Sequence, residues 1–166
     1  MKLTAIITAF VLTATGFSAT AAGTNNETGS TNKVSYQSSF NKIVVQDGIE
    51  LRLTESSEKS MQFSGSDADV KKVDWKIQGN TLYIKSKKGS LKAKVTIELS
   101  VNQLKALHVL GNSDIISAGE LKSNNLEVYV DGGGVIALQS RGSIYIEQAS
   151  GTELDVKKSE GDVTIK

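Results

Sequence analysis

From Phe40 onward apolar residues recur at every second position. Ile49, Leu51 and Leu53 share one side of an extended chain, with Glu50, Arg52 and Thr54 on the other. Met61 and Phe63 repeat the pattern, as do Val73, Trp75 and Ile77. Val95, Ile97, Leu99 and Val101 then alternate with Thr96, Glu98 and Ser100. A period of two predicts strands with one dry face and one wet face. Gly79-Asn80 separates the Trp75 run from Leu82-Tyr83-Ile84, which predicts a hairpin. Asp47-Gly48 and Lys88-Gly89-Ser90 mark further turns. Only Asp67 to Val73, with Ala68 and Val70, has helical spacing, and one turn at most is expected there. The fold class read from this pattern is all-β.

The last third repeats itself. Leu107-His108-Val109 leads to Gly111, and Val128-Tyr129-Val130 leads to Gly132-Gly133-Gly134. A degenerate copy begins at Ile146 and another at Val163-Thr164-Ile165. Units of 18 to 21 residues are too short to bury their own apolar side. They must stack on one another, which predicts a β-solenoid preceded by N-terminal antiparallel strands and the hairpin. Gly111, Gly132, Gly133, Gly134 and Gly151 fall at equivalent places and suit a corner where backbones stack closely. A phosphate-cradling loop would need a helix after the glycines, and Val135-Ile136-Ala137-Leu138 continues as strand.

Composition changes the picture at the N-terminus. Lys2, the apolar stretch from Ile6 to Leu12 and the small residues up to Ala22 have the form of a secretory signal, assigned to residues 1–22. The apolar stretch is too short to span a bilayer. Residues 23–39 are rich in Gly, Ser, Thr and Asn and read as a flexible polar tether. Residues 40–166 then form a single domain. The expected destination is the periplasm, the outer surface or the medium. The formal charge of +1 provides no global field for nucleic acid. Zero cysteines exclude disulfides, thiol catalysis and cysteine zinc sites.

Three stretches carry a resemblance. They are Phe40-Asn41-Lys42-Ile43 with Asp47 to Leu53, Val73 to Ile77 with Gly79 to Ile84, and Leu104 to Ser113. From Phe40 to the C-terminus the chain resembles the bacterial auto-transporter adhesin head domains called GIN domains. The resemblance implies a right-handed parallel β-helix with an exported, adhesive role. Its motifs are packing and turn patterns, not a catalytic fingerprint.

Few residues suggest chemistry. His108 is the single histidine and points away from the side shared by Leu107 and Val109, so no triad is expected. Asp114, Asp131, Glu147 and Glu153 follow corners, but Asp114 and Asp131 occupy different places in the repeat. Paired carboxylates for glycoside hydrolysis are therefore not predicted. Gly65-Ser66-Asp67-Ala68-Asp69 lacks the later ligands of a calcium loop. Neither a metal nor a cofactor is expected, and no catalytic residue is assigned.

Two clusters suggest binding instead. Lys85, Lys87, Lys88, Lys92 and Lys94 flank one turn. They read as a solvated edge protected from aggregation, or as a grip for an acidic polysaccharide, lipid headgroup or other polyanion. Tyr129 and Tyr145, with Tyr83, lie opposite the apolar side and are expected to form an outward aromatic ladder or to pack under the N-terminal strands. Single-stranded nucleic acid is not expected, because the lysines lack interleaved aromatics. The last strand, Val163 to Ile165, reads as an open edge that invites strand addition and a homo-oligomer. The expected function is an exported, non-enzymatic binding module with a polysaccharide or envelope ligand. The alternatives are a carbohydrate-active β-helix enzyme and an envelope protein that binds a protein partner through its open edge.

Overall fold

The computed structural model describes residues 30–86, 91–148, 152–158 and 160–166. Its elements are β1 (Ser30–Ser35), β2 (Lys42–Gln46), β3 (Ile49–Glu55), β4 (Ser60–Gly65), α1 (Asp67–Val70), β5 (Val73–Gln78), β6 (Thr81–Ser86) and β7 (Val95–Val101). There follow β8 (Ala106–Leu110), β9 (Asp114–Leu121), β10 (Asn125–Asp131), β11 (Gly134–Ser140), β12 (Ser143–Gln148), β13 (Thr152–Lys158) and β14 (Val163–Ile165). Apart from the single helical turn, the elements are all strands, as the alternation predicts.

The strands form two seven-stranded mixed sheets. The first runs β1-β4-β7-β3-β9-β11-β13 and the second runs β14-β12-β10-β8-β2-β6-β5. Neither sheet closes into a barrel. From β7 to β14 each strand lies in the opposite sheet from the one before it. The repeat copies are true register neighbours: Leu107 pairs with Val128, Val128 with Ile146, and Ile146 with Ile165, all in parallel. Each apolar position thus stacks on its counterpart one repeat later, and the dry side is continuous.

That dry side is the core between the sheets. Ile43, Leu82, Leu107 and Ile144 from the second sheet are fully buried, as are Ile49, Leu51, Ile97, Ile115 and Ile136 from the first. Burying each such side chain stabilises the fold by roughly 1.5–3 kcal/mol. Where the chain passes between sheets, backbone bonds continue the ladder through the corners. The Asp47 N–H donates to Leu110 O at 3.1 Å, and the Gly111 N–H donates to Asp131 O at 2.7 Å. Gly132 has a φ of 147°, and a Cβ there would lie 2.3 Å from Gly111 O. Close stacking of backbones thus accounts for the glycine corner. Gly151 lies outside the described residues.

Two expectations need revision. The N-terminal strands are not mainly antiparallel. Among the described residues antiparallel pairing is confined to β1–β4–β7 and the β5–β6 hairpin. By contrast, β2 lies parallel between β6 and β8, and β3 lies parallel between β7 and β9. The reason is that Asp47-Gly48 turns the chain from one sheet to the other rather than back along the same one. The segment from Lys42 to Glu55 therefore has the form of the later repeats and slots in beside them. The second revision concerns the stretch read as a tether. Its residues Ser30 to Ser35 form β1, which caps the edge of β4 in register from Ser30–Gly65 to Ser35–Ser60. A strand edge satisfies backbone donors and acceptors whatever the side chains, so a polar segment can fill it. The signal segment, the tether before Ser30 and the Lys88-Gly89-Ser90 turn lie outside the described residues.

Candidate functional site

The outer face of the second sheet holds the exposed aromatic side chains. Among the described residues the exposed large hydrophobic side chains are Tyr83, Tyr129, Tyr145 and Ile165. All four lie on the second sheet, and the three tyrosines point outward. The outward positions of the first sheet are mostly Thr, Ser, Gln and charged residues, with Ile116, Val135 and Ala137 partly covered.

Register explains how the tyrosines gather. Along one row, Glu147 of β12 lies beside Tyr129 of β10, then His108 of β8, Val44 of β2, Tyr83 of β6 and Lys76 of β5. The His108 and Tyr129 rings are 5.6 Å apart at an angle of 51°. Lys76 Nζ lies 5.4 Å from the centre of the Tyr83 ring, within range of a cation–π contact. One pleat along, Thr164 lies beside Tyr145, then Glu127, Ala106, Lys42 and Thr81. Tyr129 and Tyr145 are therefore diagonal neighbours, not consecutive rungs of one ladder. The rung beside Tyr129 is His108, and the aromatic row runs on toward Tyr83.

His108, Glu127, Tyr129, Tyr145, Glu147, Thr164 and Lys166 line a shallow depression of about 480 Å³. Burial and then the charge of Lys42 hold the His108 pKa below its usual value, while Glu127 opposes them. His108 is accordingly neutral near pH 7. It faces outward, as its parity predicts, and is partly covered, with the Tyr129 ring beside it.

The described lysines of the predicted cluster, Lys85, Lys92 and Lys94, have different surroundings. Lys85 is exposed on β6 of the second sheet, opposite Asp74. Lys94 reaches Asp114 at the start of β9 in the first sheet. Lys92 is exposed, and its backbone N–H donates to Asp69 at 3.2 Å. Lys87 and Lys88 lie outside the described residues. Asp69 itself is buried within a one-turn helix capped by Ser66. It accepts from Lys72 Nζ at 2.7 Å and from Ser66 Oγ at 3.0 Å. The Lys72 hydrogen bond, followed by the Lys92 N–H, holds its carboxyl at a pKa of about 2. The Gly65 to Asp69 segment is thus a helix cap with a paired carboxylate.

One pair of facing carboxylates escaped the sequence reading. Glu50 of β3 lies directly beside Asp114 of β9, 64 residues on in the chain. Each is taken up by a cation: Arg52 Nε bonds Glu50 at 2.6 Å, and Lys94 bonds Asp114. Asp114 also accepts from the Val135 N–H at 3.1 Å, which ties it to the next repeat. Glu127 was missed as well. Its signal was present in the inverted order of Glu127-Val128-Tyr129 and Tyr145-Ile146-Glu147. Two such strands in register place each tyrosine beside a glutamate.

Solved structures share this fold at low identity. A putative adhesin from Parabacteroides distasonis is 15% identical, with a TM-score of 0.55 over 84% of this chain and 71% of that one. A putative lipid binding protein from the same organism is 14% identical, with a TM-score of 0.50 over 84% of this chain and 67% of that one. At these identities the likeness is one of fold. No curated protein matches the chain. The family model described as "Putative auto-transporter adhesin, head GIN domain" matches residues 39–165, and the chain belongs to that family.

Proposed function

We propose that this protein is an exported, non-enzymatic surface-interaction module that presents the outer face of its second sheet to a polysaccharide of the cell envelope or of a contacted surface. The gathering of Tyr83, Tyr129 and Tyr145 on that one face carries the reading. Exposed aromatic rings cost free energy in water, and a patch rimmed by polar residues is the usual form of an interaction site. Rings standing on a rigid sheet bind with little loss of side-chain freedom. Sugar rings suit such a surface, having apolar faces to stack and hydroxyls to meet the carboxylates.

The fold half of the proposal is a parallel β-solenoid. Alternation of successive strands between two sheets supports it, and the bias of parallel crossovers favours a right-handed coil. Membership of an adhesin head family supports the exported role. A lipid ligand, suggested by the second solved structure, would call for an enclosed apolar pocket, and the tyrosine face is open and flanked by carboxylates. The enzyme alternative would rest on Glu50 and Asp114, whose carboxylates are already paired with Arg52 and Lys94.

The test is protease shaving of intact cells that produce the tagged protein, with a periplasmic control. Digestion while the control stays intact is the expected result. Binding to isolated envelope polysaccharide is then compared between the protein and its Tyr83→Ala/Tyr129→Ala/Tyr145→Ala variant. Undiminished binding by a folded triple variant would overturn the assignment of the face.

A further inference from the structure

The depression between β10 and β12 is a mosaic of two chemistries. Glu127 lies beside Tyr145 and Tyr129 lies beside Glu147, so the tyrosines occupy one diagonal and the carboxylates the other. Adjacent strands are about 4.8 Å apart, and the diagonal neighbours about 7–8 Å. One sugar ring can therefore touch a tyrosine face and a carboxylate together.

The state of those carboxylates distinguishes the site. Among the described residues neither Glu127 nor Glu147 is in an ion pair, whereas Glu50 and Asp114 on the other sheet both are. The other charged or titratable groups facing the depression are Lys166 beyond Glu147 and His108 beside Tyr129. Lys42 stands one strand beyond Ala106. An anionic ligand would meet two carboxylates, with Lys166 beside Glu147 as the one ammonium group lining the depression. A cation would meet both carboxylates and the electron-rich faces of two tyrosines.

Resting on the proposed role of this face, we infer that Glu127, Tyr129, Tyr145 and Glu147 form a subsite for a glycan residue that bears a protonated amine. The tyrosines stack the ring and attract its charge. The glutamates accept charge-assisted hydrogen bonds from the ammonium group and its neighbouring hydroxyl.

The experiment is isothermal titration of the purified protein at a pH of about 6, where a free amine is protonated. The probes are oligosaccharides of glucosamine, N-acetylglucosamine and galacturonate of equal length. The free-amine oligomer should bind about tenfold more tightly than the acetylated one, the scale of one charge-assisted hydrogen bond. Galacturonate should bind most weakly. In Glu127→Gln/Glu147→Gln, which keeps the shape, the preference for the amine should fall to within about twofold. Equal binding of amine and acetyl forms, a preference for galacturonate, or a preference that survives the double variant would overturn the inference. If none of these probes binds while envelope binding is still lost in the triple tyrosine variant, the inference falls and the broader reading of the face stands. If the triple variant, folded by circular dichroism, still binds as the parent does, both fall.

Discussion

A methyl group on Gly132 would lie 2.3 Å from the carbonyl oxygen of Gly111. The obstacle is backbone, which cannot swing aside as a side chain can. Gly132 also sits at a φ of 147°, where a Cβ is strained in any surroundings. Gly132→Ala should therefore destabilise the fold by about 3 kcal/mol, the sum of strain and the displaced neighbouring corner. Gly79, in the hairpin turn, also has a positive φ, but a methyl group there would meet nothing within 4 Å. Gly79→Ala should cost only about 1 kcal/mol. Urea denaturation of the two variants checks the difference, and equal losses would mean that the corners yield.

Leu107 and His108 are chain neighbours on opposite sides of β8. Leu107 is fully buried between Ile43 and Val128 in register. Leu107→Ala should cost roughly 2–5 kcal/mol through lost burial and the cavity left behind. His108→Ala, on the outer face, should cost less than about 1 kcal/mol. Thermal unfolding monitored by circular dichroism separates them. A reversed order would place the wrong side of the strand in the core.

Acid should weaken the protein partly through Asp69. Its folded pKa of about 2 lies below its ordinary value of 3.8, chiefly because Lys72 and the Lys92 N–H hold the ionised form. A depressed carboxyl contributes stability above its unfolded pKa and loses it as the pH falls through the folded one. The contribution should be full above pH about 4 and gone below about 2. Asp69→Asn should lower the urea midpoint at pH 7 and flatten its fall across that window. An unchanged slope would assign the acid sensitivity to other groups.

Alkali should act through Tyr36. Its hydroxyl donates to Ser100 O at 2.8 Å, and burial raises its pKa to about 12. A raised pKa means that the folded state favours the neutral phenol. This stability is full below pH about 10 and is lost as the pH rises toward 12. Tyr36→Phe should cost about 1 kcal/mol at pH 7, the worth of one hydrogen bond. It should also remove this part of the decline above pH 10, as read from unfolding curves at stepped pH. The result also tests whether the chain just after β1 is docked against β7.

Much of this architecture was legible because side-chain parity is a local property. An extended chain sends successive residues to opposite sides, so Leu107 and Val109 inward and His108 outward follow from three letters. The repeat spacing foretold which residues would stack, and Leu107, Val128, Ile146 and Ile165 do pair in that sequence. Gly79-Asn80 marked its hairpin, and the spacing of Ala68 and Val70 marked its single helical turn.

The binding face was legible only in part. Tyr83, Tyr129 and Tyr145 were identifiable as outward residues, but not their neighbours. Val44 beside His108 and Glu50 beside Asp114 are each 64 residues apart in the chain. Alternation specifies which side of a strand is dry, not which strand lies next to it. Backbone hydrogen bonds are the same for any partner, so β1 could be built from polar residues, and β2 and β3 could insert between strands that come later in the chain. By itself the sequence determined the all-β class, the inward and outward sets and the stacking of the C-terminal repeats, because those depend on residues close in the chain. Tertiary structure decided the order of strands across each sheet, and with it the diagonal of Tyr129 and Tyr145 between Glu127 and Glu147, because pairing across a sheet is chosen by packing of the whole core.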